Sequence, residues 1–368
     1  MSRPSPSPAT LSRLSDRDVP IESLLDACKA CAADCEDLDE VDSYPKGFDV
    51  DFDSEMLGSF KGFGRQVVIS TGKSDWEREV TDETDSLAQL LRDEYAETIS
   101  SASSKPSFLN NLARKFSSTV NLKGSNDEPL PGVHPSSARA PGSSTNLSIL
   151  NSSFVSSSHH GDRESVMVFP DYKVVHDVEA RKGHAQEMVE RFLESDNNRV
   201  GVQAETSQLK SWPLPYRAVV LLCSHKKRDR RCSIAAPLLA NQFHHHLSKH
   251  DIHVDETGED LESGAPLEEW EGTPEEKEKR FETNLQETSK ASERVGVFMV
   301  SHIGGHKFSG NVVIHFPNGT CLYYGRVTPA DIGVVVERTI MEGKVIPEFL
   351  RGGLGIDGKN GAKGILDW

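Results

Sequence analysis

The chain has 368 residues, a formal net charge of −16 at pH 7 and six cysteines. That length exceeds the size at which a single core stops growing, so two domains are expected, and the acidity excludes nucleic acid as a general partner. No apolar run approaches the roughly 20 residues needed to span a bilayer, which excludes a membrane segment.

The N-terminus, MSRPSPSPATLSRLSDRD, lacks the apolar centre of a secretory signal. The sequons at Asn146, Asn151 and Asn318 therefore carry no meaning, and the prolines and aspartates of the same stretch argue against an amphipathic mitochondrial presequence. Cysteines in a chain without a secretory signal point to metal or redox chemistry before disulfides. Residues 1–20 read as disordered. An N-terminal α/β domain is expected over residues 21–200, beginning with LLDACKACAADC. Cys28, Cys31 and Cys35 there have the spacing of a second metal or redox site but lack a fourth ligand, so a short helix bearing free thiols is the simpler reading. The run RQVVIST predicts a buried strand, and Ser86 to about Ile99 a helix. Gly72-Lys73-Ser74 resembles the end of a phosphate loop, but the upstream glycine is missing at the required spacing. Residues 101–163, rich in Ser, Asn, Pro and Gly, are expected to be a disordered insertion open to phosphorylation. SVMVFPDYKVV then reads as a strand and HAQEMVERFLES as an amphipathic helix.

The second half is assigned residues 201–345, with 346–368 as a C-terminal tail. Ala218 to Cys223 predicts a strand, and Ser233 to about Ser248 a helix with Leu239, Phe243 and Leu247 on one face. A strand near Ile252 to Val254 precedes an acidic excursion over about 255–293, and Val295 to Ser301 is the next strand. Asn311 to Phe316 and Cys321 to Gly325 form a hairpin through Asn318-Gly319. Thr328 caps a closing helix that runs to about Met341. This order suits a thioredoxin-like layer with helices on both faces of a sheet.

Four side chains at strand ends organise this half: Cys223 and Cys232, then His302 and His306. Cys232 sits just before a helix, whose N-terminal dipole favours thiolate. Lys226, Lys227, Arg228, Arg230 and Arg231 lie between the cysteines and form either a solvated loop or a docking patch for an acidic partner. Gly304 and Gly305 separate the histidines, break any continuous helix and let backbone approach a bulky centre. His244, His245 and His246 are consecutive and read as incidental, and Cys321 reads as core. Two cysteines and two histidines fit a structural zinc or a mixed-ligand [2Fe–2S] cluster, and the wide gap between the cysteines slightly favours the cluster.

The runs LLCSHKKRDRRCSIAAPLL, VSHIGGHKFSGNVVIHFPNG and YYGRVTP resemble those of the sucrase/ferredoxin-like family, which includes the fungal actin-patches-distal protein. GRQVVISTGKSDW and VMVFPDYKVV extend the resemblance to about two-thirds of the chain. It implies a thioredoxin-like ferredoxin domain whose [2Fe–2S] cluster is held by Cys223, Cys232, His302 and His306. No carboxylate pair supports the sucrase half of the family name. The terminal Leu366-Asp367-Trp368 is similar to the tripeptide recognised by the cytosolic iron–sulfur assembly targeting complex, which favours the cytoplasm, with the nucleus as an additional compartment. Neutral imidazoles in place of thiolates imply a raised potential, and a titrating ring N–H implies coupling of proton to electron uptake. The expected function is thus a one-electron carrier in cytosolic redox homeostasis rather than a catalyst, with an unknown donor and acceptor. The competing classes are a zinc-stabilised interaction module linked to actin organisation and a thiol–disulfide enzyme, the latter opposed by the absence of C-x-x-C spacing.

Overall fold

A computed structural model of the chain describes residues 5–30, 43–104, 130–136, 143–158, 160–202, 207–357 and 364–368. Strands β1 (Arg65–Ser70), β2 (Val133–His134), β3 (Leu147–Ser152), β4 (Arg163–Phe169), β5 (Lys173–Glu179) and β6 (Lys210–Pro213) belong to the first half. The second half adds β7 (Ala218–Cys223), β8 (His253–Asp255), β9 (Arg294–Val300), β10 (Val312–His315), β11 (Cys321–Tyr324) and β12 (Leu350–Leu354). All twelve form one mixed sheet, ordered β2-β12-β11-β10-β7-β9-β3-β1-β4-β5-β6, with β8 paired to β9. The α-helices among the described residues are α1 (Pro8–Ser15), α2 (Leu24–Ala30), α3 (Leu87–Ser104), α4 (Lys182–Met188), α5 (Arg230–Ser248), α6 (Pro274–Ala291) and α7 (Ile332–Val334). None is long and apolar enough to cross a membrane.

The two halves share one topology. Strand β1 pairs parallel with β3 and antiparallel with β4, which leads through β5 to β6. Strand β7 repeats this scheme with β9, β10, β11 and β12. Helix α3 follows β1 as α5 follows β7, and a helix ending in a π-helical stretch follows each of β5 and β11. The repeats meet edge to edge at the antiparallel pair Ser152 and Val300. The seam is two-fold in its hydrogen bonds: Ser153 N–H donates to Met299 O while Met299 N–H donates to Ser153 Oγ, and Ser301 and Asn151 exchange the same pair of bonds.

Strand alternation sorts the apolar side chains accordingly. Val67 and Ile69 of β1 pack with Leu91 of α3, and Val220 and Leu222 of β7 pack with Leu239 and Phe243 of α5. On the opposite face Val68, Leu221 and Phe298 join one core that crosses the seam, closed by Phe281 and Leu285 of α6. Thus the acidic excursion contributes a helix whose apolar stripe is buried.

Three stretches differ from expectation. Within the supposed insertion, Leu147–Ser152 is a central strand, because Asn151, Ser152 and Ser153 spend their polar groups on the seam. Residues 8–15, expected to be disordered, form α1, in which Ser7 Oγ accepts from Thr10 N–H at 3.1 Å and Leu14 is buried in the second repeat's core. The supposed tail supplies β12. A Cβ at Gly353 would lie 2.2 Å from Cys321 O, so the strand's glycines serve close backbone packing. The last residues also fold back: Ile365 and Leu366 pack on the second core, and Trp368 packs on the shared one.

Candidate metal centre

Strand β7 ends at Cys223, and Asp229 caps α5 by accepting from Arg231 N–H at 2.9 Å, which sets Cys232 in the first helical turn. Both cysteines are buried. The two thiols act on each other in opposite senses. Cys223 is held well below the usual thiol range, first by the bond from Cys232 and then by His302 and the Ile303 N–H. Cys232 is pushed up by the neighbouring thiolate and by burial. An isolated pair of thiols at this position would thus carry one negative charge before two.

The histidines come from the chain that leaves β9. Gly304 and Gly305 are both left-handed, with φ of 76° and 68°, and this double reversal brings the His302 and His306 rings to 5.5 Å between centroids. Only glycine adopts two such residues in succession without strain. His302 is half-buried and His306 exposed, so the site is closed at its cysteine end and open at its histidine end. A Cβ at Gly305 would lie 2.3 Å from Arg351 Nη2. Gly305→Ala is therefore expected to cost roughly 1–3 kcal/mol, read as a lowered urea midpoint; a variant as stable as the parent would contradict this account of the loop.

Several supporting residues are not evident from the sequence. His225 is fully buried; its Nδ1 accepts from His302 N–H at 3.1 Å while Nε2 contacts Trp76 O at 3.0 Å, which assigns the proton to Nε2. Ser224 Oγ donates to Ser74 O at 2.7 Å. The loop that follows β1 in the first repeat thus lies across the centre of the second. At the matching positions the first repeat has Ser70 for Cys223 and Phe154 for His302, as the shared seam aligns them. A signal was available for His225, which falls inside the cysteine motif; none was available for Arg351, remote in sequence and on a glycine-rich strand.

The basic loop is largely neutralised by the same first-repeat segment. Lys227 pairs with Glu77, Arg228 with Glu79, and Arg231 with Asp229 at 2.8 Å. Lys226 and Arg230 are exposed and form no ion pair among the described residues. Cys28 is exposed on α2, and Cys31 and Cys35 lie outside the described residues. Cys321 is a core thiol 3.9 Å from His315 Nε2. In the terminal segment, Leu366 and Trp368 are half-buried and Asp367 exposed.

Among the described residues no group of three or more His, Cys, Asp or Glu is gathered to hold one metal ion. The donors stand instead as two contacting pairs, Cys223 with Cys232 and His302 with His306. His302 Nδ1 is buried without a hydrogen-bond partner. An orphaned buried ring nitrogen beside a lowered thiol is a donor set free to take a metal centre.

A family model described as sucrase/ferredoxin-like matches residues 56–352. The protein "Altered inheritance of mitochondria protein 32" of Clavispora lusitaniae is 26% identical over 216 residues, covering 55% of this chain and 63% of its own length. Its namesake in Debaryomyces hansenii is 27% identical, over 55% of this chain and 65% of its own. "Actin patches distal protein 1" of Saccharomyces cerevisiae is 32% identical over 126 residues, 34% of this chain and 30% of its own. The chain thus spans less than two-thirds of the length of each of these relatives. No solved structure matches.

Proposed function

The chain belongs to the sucrase/ferredoxin-like family, and on that basis we propose that it is a one-electron carrier whose [2Fe–2S] cluster is held by Cys223, Cys232, His302 and His306. The observation that carries this reading is the arrangement of the donors in two pairs with one ring nitrogen left unpartnered. When bound, such a cluster accepts and returns a single electron. The buried cysteines would supply the two negative charges of the ligand set, and the imidazoles would supply none, which raises the potential above that of all-cysteine ferredoxins. His225 fixes the backbone of His302 and thereby the direction of its ring, while Trp76 excludes water from that side. The exposed His306 puts the histidine edge where a donor or acceptor can approach, and Lys226 and Arg230 are the exposed cations of the cysteine loop.

The strand order β9-β7-β10-β11, with helices after β7 and β11, supports a thioredoxin-like reading of the second half, and the first half has the same order. A cytosolic location, with delivery through the iron–sulfur assembly targeting complex by Leu366, Asp367 and Trp368, completes the proposal. The relatives named for mitochondrial inheritance make the mitochondrion the competing compartment. A zinc-stabilised module linked to actin organisation is the alternative, favoured by the relative named for actin patches. It would need all four donors about one point, and metal analysis separates it from the cluster.

The test is anaerobic purification followed by visible and, after dithionite, electron paramagnetic resonance spectra. A red-brown protein with a reduced-state signal, both lost in His302→Ala, is expected; a colourless protein refutes the reading. The midpoint potential should fall as pH rises, by at most about 59 mV per unit for one electron and one proton, and a value flat from about pH 6 to 9 contradicts proton coupling.

A further inference from the structure

Arg351 stands on β12 with its side chain almost wholly enclosed, 1% exposed as a residue. Its Nη1 donates to Asn311 Oδ1 at 2.7 Å and to Gly304 O at 3.2 Å, and its Nε donates to Ser59 Oγ at 3.2 Å. Phe308 and Tyr323 flank the guanidinium, each 5.9 Å from it. All these partners are neutral, and Arg351 forms no salt bridge among the described residues. Burying an uncompensated cation is expensive, and native structures do so where a negative group answers it. Its bond to Gly304 O places the guanidinium against the loop that joins the two candidate histidine ligands, so the group positioned to answer its charge is the candidate centre itself.

We infer that Arg351 is a positioning residue with two roles: its guanidinium braces the Gly304-Gly305 reversal that pairs the histidines, and its fixed charge raises the reduction potential of the centre. This rests on the proposed cluster. With two thiolates and two neutral imidazoles, the oxidised [2Fe–2S] centre is neutral overall, and uptake of one electron from an external donor makes it singly negative. No bond is broken, and any proton taken up with the electron adds to a histidine ring and leaves the sign of the Arg351 effect unchanged. A cation held close by in a dry site stabilises the reduced state over the oxidised one. Asn311 completes the brace, since its Nδ2 donates to Gly305 O at 3.1 Å while its Oδ1 receives Arg351.

The test compares full-length wild type, Arg351→Gln and Arg351→Lys, each scored for iron per chain and for midpoint potential in a dithionite titration. Arg351→Gln is expected to retain iron with its reduction equilibrium about tenfold less favourable, a downward shift of about 59 mV for one electron. Arg351→Lys should stay near wild type. Asn311→Asp provides a second arm that leaves the guanidinium in place: it keeps Arg351, neutralises it, and should lower the potential in the same direction. Iron-loaded Gln or Asp variants with an unchanged potential overturn this inference alone, as does a Lys variant shifted as far as the Gln one. A wild-type protein that binds no iron overturns the parent reading, and this one with it.

Discussion

Cys223→Ala is expected to yield a colourless protein with no bound iron, while its circular dichroism stays that of the wild type. Cys223 is the thiol held lowest, by Cys232 first and then by His302 and the Ile303 N–H, so its loss removes the donor that adjoins both pairs. The change deletes a single buried sulfur at the end of β7, where Val219 and Leu221 on the same face remain packed, so a cavity cost of about 1–2 kcal/mol is the most that folding should lose. Iron content and far-ultraviolet circular dichroism on the same sample separate the two effects. Retention of iron at wild-type stoichiometry would remove Cys223 from the ligand set.

The second large effect lies away from the centre, in the first repeat. Asp171 is buried between Arg65, whose Nε is 3.1 Å away, and Lys173, whose Nζ is 3.6 Å away, and all three side chains are at most 3% exposed. Asp171→Ala leaves two buried cations without a carboxylate and should cost about 3–5 kcal/mol. The deficit has a pH signature. Burial lowers Lys173 to about 8 even with Asp171 present, so between that value and its ordinary 10.5 the unfolded chain binds more protons than the folded one, and stability rises with pH. Without Asp171 the lysine falls further, and the part of the deficit due to its charge disappears at a lower pH than in the wild type. Urea midpoints at about pH 6 and about pH 9 should therefore show a smaller gap at the higher value. An equal gap would assign the cost to Arg65 alone.

Much of the architecture is legible in the chain because local signals agree with the final packing. β1, β7 and β9 are apolar runs buried throughout or nearly so, Asn318-Gly319 makes the β10–β11 turn, and Thr328 with Asp331 forms the capping box of the closing helix. β3 and β12 escape such a reading for opposite reasons. LSILNS hides a central strand in a polar composition because the Ser152 hydroxyl and the Asn151 backbone are consumed by the seam and Ser148 accepts from Gln66 of β1, and LRGGL hides one in glycines that allow backbone contact. The four candidate ligands stand out because thiols and imidazoles at strand ends have few structural uses. Their support does not stand out: Arg351, Asn311, His225 and Trp76 come from four separate elements, and only the fold brings them to one place. The duplication is likewise invisible at the level of motifs, since Ser70 and Phe154 replace the ligands in the first copy while the strand pairing persists.

Two copies of one topology with one candidate centre imply a division of labour. The first repeat keeps its sheet and helices but lends its Ser74 to Glu79 loop to the second, where it caps His225, pairs with Lys227 and Arg228, and covers the buried side of the thiols. The histidine edge is left uncovered, and under the proposed function it is the side open to a redox partner.

The most direct measurement is the iron, acid-labile sulfide and zinc content per chain of the anaerobically purified wild-type protein. About two irons and two sulfides with negligible zinc is the result this account predicts. About one zinc without sulfide would contradict it.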